Sequence, residues 1–92
     1  IFGCGKRGER LMFFCDRNHI TIDGFCDNDP VFHGSRRFGF PVLSPDNLKS
    51  MLDEKNQVVL LSMKNGSEEV YRQLTAMGIE AGRIINQLPE GV

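Results

Sequence analysis

Near the start of the chain, Gly3-Cys4-Gly5-Lys6-Arg7-Gly8 sets three glycines in a G-x-G-x-x-G spacing. The chemistry that spacing serves is anion binding by backbone amides. Gly3 permits a tight turn out of an apolar stretch, Ile1 and Phe2. Gly5 leaves room for a pyrophosphate against the main chain, and Gly8 lets a helix pack closely on what lies beneath it. The start of that helix offers unpaired N–H groups and the positive end of its dipole. Asp27 suits the same purpose. It stands 24 residues after Gly3 and 19 after Gly8, at the end of a β-branched run, where a carboxylate accepts hydrogen bonds from ribose hydroxyls. Its charge disfavours a phosphorylated ribose, so NADP and coenzyme A fit less well. Cys4, Lys6 and Arg7 fill the variable loop positions, and Asn28 neighbours the acid. Ser62 and Asn65 follow a later apolar run and are placed to hydrogen-bond a ribose or base across the crevice. Arg36 and Arg37, in the loop after Asp27, stand on the same side.

No catalytic set accompanies these residues. His19 falls just after the first helix, and His33 lies in a polar loop. Tyr71 is the only tyrosine, with Thr75 where a Tyr-x-x-x-Lys pair would need its lysine. No nucleophile and base stand in a recognisable relation. Cys15 and His19, four apart, share a helix face, but two ligands fall short of the four a structural zinc site takes; no metal is expected. The chain is expected to bind and not to transform.

Positioning this loop requires alternating elements. Gly8, Leu11, Met12 and Cys15 recur at helical spacing and predict a helix to about Arg17, with Asn18 as its stop. Residues 20–26 read as a second strand, and Asp27-Asn28-Asp29-Pro30 as a turn. Residues 40–43 read as a short strand, with Pro41 assigning it to a sheet edge. Ser44-Pro45 starts a second helix striped by Leu48, Met51 and Leu52. Residues 58–61 read as a buried parallel strand. Asn65 reads as the cap of a third helix, with Glu68 in the capping-box position and Gly78 as its end. Ile84 and Ile85 give a last strand. The order implies an α/β chain: a doubly wound, mostly parallel sheet of strand order about 3-2-1-4-5 in three α/β/α layers. An opening strand of two residues is short against the usual five or so, so the chain is expected to be a fragment of a longer protein.

Composition sets the outer bounds. The chain has 92 residues, 40% hydrophobic and 25% charged, so residues 1–92 make one domain of ordinary globular type. Eleven Lys and Arg against twelve Asp and Glu leave a net charge of −1, which gives no electrostatic reason to expect nucleic acid as a partner. No apolar run reaches the roughly 18–20 residues that cross a bilayer. Three cysteines, Cys4, Cys15 and Cys26, cannot all pair, and a reducing, cytoplasmic setting is expected.

Three segments carry a resemblance: Ile1 to Gly8, Gly24-Phe25-Cys26-Asp27-Asn28-Asp29-Pro30, and Gly39-Phe40-Pro41-Val42-Leu43-Ser44-Pro45. Together they resemble a Rossmann-like module of bacterial surface-polysaccharide proteins. Such modules form the N-terminal domain of sialic-acid-type sugar O-acyltransferases, precede sugar-nucleotide dehydratases, and accompany some glycosyltransferases and FkbM-like methyltransferases. The resemblance spans essentially the whole chain. It implies a nucleotide-sugar ligand, such as a UDP-sugar, with Gly3, Gly5 and Gly8 near the phosphates and Asp27 near the ribose or uridine. It also implies that the remainder of a parent enzyme is a partner. The hexapeptide-repeat β-helix of the acyltransferases and its catalytic histidine are lacking here, so transferase activity is not expected of these residues.

Two other readings fit the same residues. One is the NAD-binding part of an oxidoreductase, supported by the same loop and acid. The other is a ligand-free interaction domain, with Phe13, Phe14 and Phe32 on an apolar patch that could pair two copies.

Overall fold

In the computed structural model, which describes residues 1–90 and 92, the elements follow the predicted alternation but are short. Helix α1 spans Lys6–Arg17, β1 Phe25–Cys26, β2 Arg36–Arg37 and β3 Phe40–Leu43. Helix α2 spans Leu48–Lys55, β4 Val59–Leu60, α3 Ser67–Ala76 and β5 Ile84–Ile85. Single 3₁₀ turns cover Pro30–Phe32, Pro45–Asn47 and Ala81–Arg83.

The predicted five-stranded doubly wound sheet is not formed. The described residues form instead two small sheets: a three-stranded mixed one in the order β1-β3-β2, and a two-stranded parallel one, β4-β5. Strands β1 and β3 are parallel, with Phe25 opposite Val42; β2 runs antiparallel to β3, with Arg37 opposite Phe40. In the second sheet Val59 faces Ile84. Between the sheets stands Phe2 alone, in isolated parallel bridges to Cys26 and Leu61. The physical reasons are local. Ile1 and Phe2 supply one ladder position, not a strand. Residues 20–24, which include β-branched Ile20, Thr21 and Ile22, form no strand, although Gly24 O accepts from the Ile1 nitrogen at 3.0 Å. The arginine loop folds back on β3 because Phe38 and Gly39 both take positive φ, 52° and 84°, which suits a two-residue hairpin.

That hairpin also corrects the placement of Pro41. Strand β3 lies between two neighbours, not at an edge. The ring is tolerated because Val42 N–H makes the hairpin bond, to Ser35 O at 3.0 Å, and alternate residues point their amides the other way. On that other side Gly24 passes so close that a Cβ there would lie 3.0 Å from Pro41 O.

Helix ends follow their chemistry. Asn18 closes α1, its Nδ2 donating to Phe14 O at 2.8 Å. Asn56 closes α2 at φ 53°. The third helix departs from expectation: Gly66, at φ 82°, is its N-cap and Ser67 its first residue, so Asn65 lies one step outside the helix. Two buried clusters hold the elements. The larger centres on Phe2, Leu52, Leu61, Leu74 and Ile84; the smaller joins Cys4, Phe25 and Val42, flanked by Phe32, Phe38 and Phe40. Among the described residues no helix is long and apolar enough to cross a membrane.

Candidate functional site

The glycine loop is assembled by close backbone approaches. Gly3 sits at φ 99°, and its N–H donates to Cys26 O at 2.7 Å. A Cβ on Gly3 would fall 2.4 Å from Ser62 Oγ, and one on Gly8 would fall 2.0 Å from Gly3 O. Both positions therefore demand glycine for internal packing. Gly5 is different. It is exposed, a Cβ there would meet nothing within 4 Å, and it stands as N-cap of α1 with no side chain to cap the helix. The first intrahelical bond runs from Glu9 N–H to Gly5 O at 3.0 Å. The N–H groups of Lys6, Arg7 and Gly8 precede it, so the helix presents uncapped donors beside an open position.

Asp27 lies at this loop. Its Oδ2 accepts from Cys4 N–H at 3.0 Å and from the Cys4 thiol at 3.4 Å; its Oδ1 accepts from Asp29 N–H at 2.9 Å. Burial pushes the carboxyl towards its neutral form. The hydrogen bonds from Asp29 and Cys4, with the charge of His33, outweigh this and hold its pKa below the ordinary value. Cys4 is fully buried, and burial together with the adjacent carboxylate pushes its thiol up to about 11. It is an inert packing thiol, not a nucleophile.

The other candidates divide between the loop and internal duties. Arg7 turns inward: its Nε donates to Ser62 O at 3.1 Å and its guanidinium reaches Val92 O at 2.9 Å. Ser62 is buried, its hydroxyl donating to Phe2 O at 2.8 Å and lying 3.3 Å from Gly3 O. Asn28 exchanges paired amide bonds with Gln73 on α3, at 2.9 and 2.8 Å. Lys6 and Asn65 are exposed. The structure thus brings Gly3, Cys4, Gly5, Gly8, Asp27 and Ser62 together, with Lys6 at the rim and Asn65 outside.

Two further residues take on roles that their spacing alone did not assign. Arg37 donates from Nε to Cys4 O at 3.3 Å, and its guanidinium lies 5.3 and 5.0 Å from the ring centres of Phe32 and Phe38. These aromatic contacts set a cation at the loop; the Arg37-Phe38 adjacency was the visible signal. His33 Nε2 lies 2.6 Å from Asp27 O, a contact made by the 3₁₀ turn that folds residue 33 back towards β1. A cavity of about 220 Å³ adjoins the loop, lined by Arg7, Ser62, Lys64, Ser67 and Asn86 among others. The buried Oδ1 of Asn86 has no hydrogen-bond partner among the described residues. Larger hollows of about 640 and 460 Å³ lie around residues 20–22, at the other end of α1.

Compared with protein-family models, curated proteins and solved structures, the chain matches none.

Proposed function

We propose that the chain is a nucleotide-binding module that takes a diphosphate at the start of α1, in a nucleotide-sugar or a dinucleotide such as NAD. The observation that carries this reading is the open Gly5 position, facing uncapped helix N–H groups, with the Asp27 carboxylate anchored beside it. A diphosphate satisfies the free donors and gains from the helix dipole. A carboxylate of lowered pKa keeps lone pairs for ribose hydroxyls, since each oxygen has capacity beyond the bonds it already accepts. Arg37 adds a cation at the loop rim. The resemblance of the three segments to polysaccharide-biosynthesis modules favours a UDP-sugar over NAD and assigns the chemistry to the rest of a parent transferase or dehydratase.

A second reading has its own support. The Cys4 amide is already taken by Asp27, and Ser62 and Arg7 are bonded internally, as suits a ligand-free scaffold whose loop is tight for packing reasons. Calorimetric titration with a UDP-sugar and with NAD separates the two. Saturable heat that vanishes in Gly5→Val supports the binding module. Silence with both ligands leaves the scaffold.

A further inference from the structure

Helix α1 buries Gly8, Leu11 and Cys15 against the rest of the fold. At 3.6 residues per turn, Phe13 falls directly opposite that face, and it is 54% exposed. The charges around it are sorted by sign. Glu9 and Asp16 flank Phe13 along one edge of the helix, and Arg10 and Arg17 flank it along the other. Neither ion pair among the described residues involves any of these four. The acidic edge borders the hollow of about 640 Å³, whose lining includes Met12, Asp16, Phe38 and Phe40. The outer face of α1 thus carries an aromatic seam, an acidic edge beside an apolar hollow, and a basic edge.

We infer that this face pairs with a second copy of the chain, the two α1 helices lying parallel about a two-fold axis that runs along them. The charge pattern selects the direction. A two-fold along the helices brings the acidic edge of each copy against the basic edge of the other. Adjacent residues differ by about 1.5 Å of rise, so Glu9 stands level with the partner's Arg10, and Asp16 with the partner's Arg17. Symmetry makes each of these pairs twice. An antiparallel arrangement instead sets acid against acid, Glu9 facing the partner's Asp16, and base against base. On the axis Phe13 meets its own counterpart as an aromatic pair. The aliphatic stem of the partner's Arg17 covers the hollow beside Asp16. Lys6, exposed on the same seam, meets its counterpart at the helix end, one repulsion against the paired attractions. Phe14 and Phe32 are partly buried and take no part, so charge order, not a shared apolar patch, specifies this pairing. It is independent of ligand binding at the glycine loop. A contact built on one helix of about 18 Å is small, and Kd is expected on the order of 0.1 mM.

Sedimentation of the 92-residue chain in low salt, from about 10 μM to about 1 mM, tests this; a reversible shift from monomer to dimer is expected across that range. Phe13→Ser should raise Kd about tenfold or more. Asp16→Arg sets like charges against the partner's Arg17 and should also raise Kd about tenfold. Adding Arg17→Asp to it restores opposite charges and should return Kd to within about threefold of wild type. Asp16 and Arg17 are both exposed, and unfolding curves establish that each variant folds. A chain that stays monomeric at about 1 mM overturns the inference. So does a dimer whose Kd is indifferent to Asp16→Arg, or one that the charge exchange fails to restore.

Discussion

The Cys4 amide and the Asp27 carboxylate, 23 positions apart in sequence, are joined by a 3.0 Å hydrogen bond, with the Cys4 thiol 3.4 Å from the same oxygen. This contact fixes the turn before α1 to the end of β1. The acid proposed to read a ribose is thus also the clamp that shapes the loop.

Asp27→Asn separates those duties. An asparagine keeps the shape but loses the charge-assisted bonds, so a cost of about 1–2 kcal/mol is expected by chemical denaturation at pH 7. The sign of the pH effect follows from the lowered pKa of Asp27. The stabilisation is present above the unfolded carboxyl value, about 3.9, and is lost as pH falls through the lower folded value. Wild type should therefore lose stability more steeply than Asp27→Asn below about pH 4, and the two acid limbs should converge.

The cysteines predict the opposite limb. Burial, with the neighbouring carboxylate, raises Cys4 to about 11, and burial raises Cys26 to about 12. A group whose pKa is raised on folding stabilises the fold fully below its unfolded value and loses that contribution as pH rises through the folded one. Stability should fall between about pH 9 and 12. At pH 8 a thiol reagent should modify both residues only as fast as the chain opens. Rapid labelling of Cys4 in the native protein would contradict its burial.

The glycines can be told apart by substitution. Gly8→Ala places a methyl 2.0 Å from Gly3 O, and the roughly 1 kcal/mol gained in helix propensity cannot offset the forced shift. A net loss of about 2–3 kcal/mol is expected in thermal or denaturant unfolding. Gly5→Ala meets open space at φ −85° and should leave stability within about 0.5 kcal/mol. If a diphosphate binds here, Gly5→Ala weakens it without unfolding the chain, and titration against the folded variant measures that.

Arg83 predicts a stability effect remote from the loop. Its guanidinium bonds the Leu52 carbonyl, its Nε donates to Gln57 O at 3.0 Å, and it pairs with Asp53. The carbonyl bonds close the last turn of α2 and the approach to β4. Arg83→Gln should cost about 1–2 kcal/mol. Asp53→Asn, which removes an exposed partner of Arg83 and Lys49, should leave the unfolding midpoint nearly unchanged. Equal losses from the two would show that the ion pair, not the carbonyl bonds, is what stabilises this corner.

Local patterns located the three helices but not every start: α2 begins at Leu48 after a 3₁₀ turn at Pro45–Asn47, and α3 at Ser67 behind Gly66. The Leu11 and Cys15 stripe, Asn18 at the end of α1 and Gly78 just past α3 were all legible, because a helix closes its own hydrogen bonds within a few residues. The glycines of the loop and the position of Asp27 were legible for a related reason: turn chemistry depends on which residues tolerate tight backbone.

Pairing and side-chain commitment were decided only in three dimensions. A strand needs pairing along its length: residues 20–24 carry the composition of a strand without forming one, and Phe2 supplies only isolated bridges between the two sheets. The hairpin through Phe38 and Gly39 set β3 inside its sheet, although Pro41 pointed to an edge. The hydroxyl of Ser62 and the guanidinium of Arg7, read as ligand groups, are spent on Phe2, Gly3, Ser62 and Val92, since buried carbonyls take whatever donors the packing brings near them. Spacing along a chain tells which groups can reach a crevice; which of them stay unbonded depends on neighbours from distant parts of the chain.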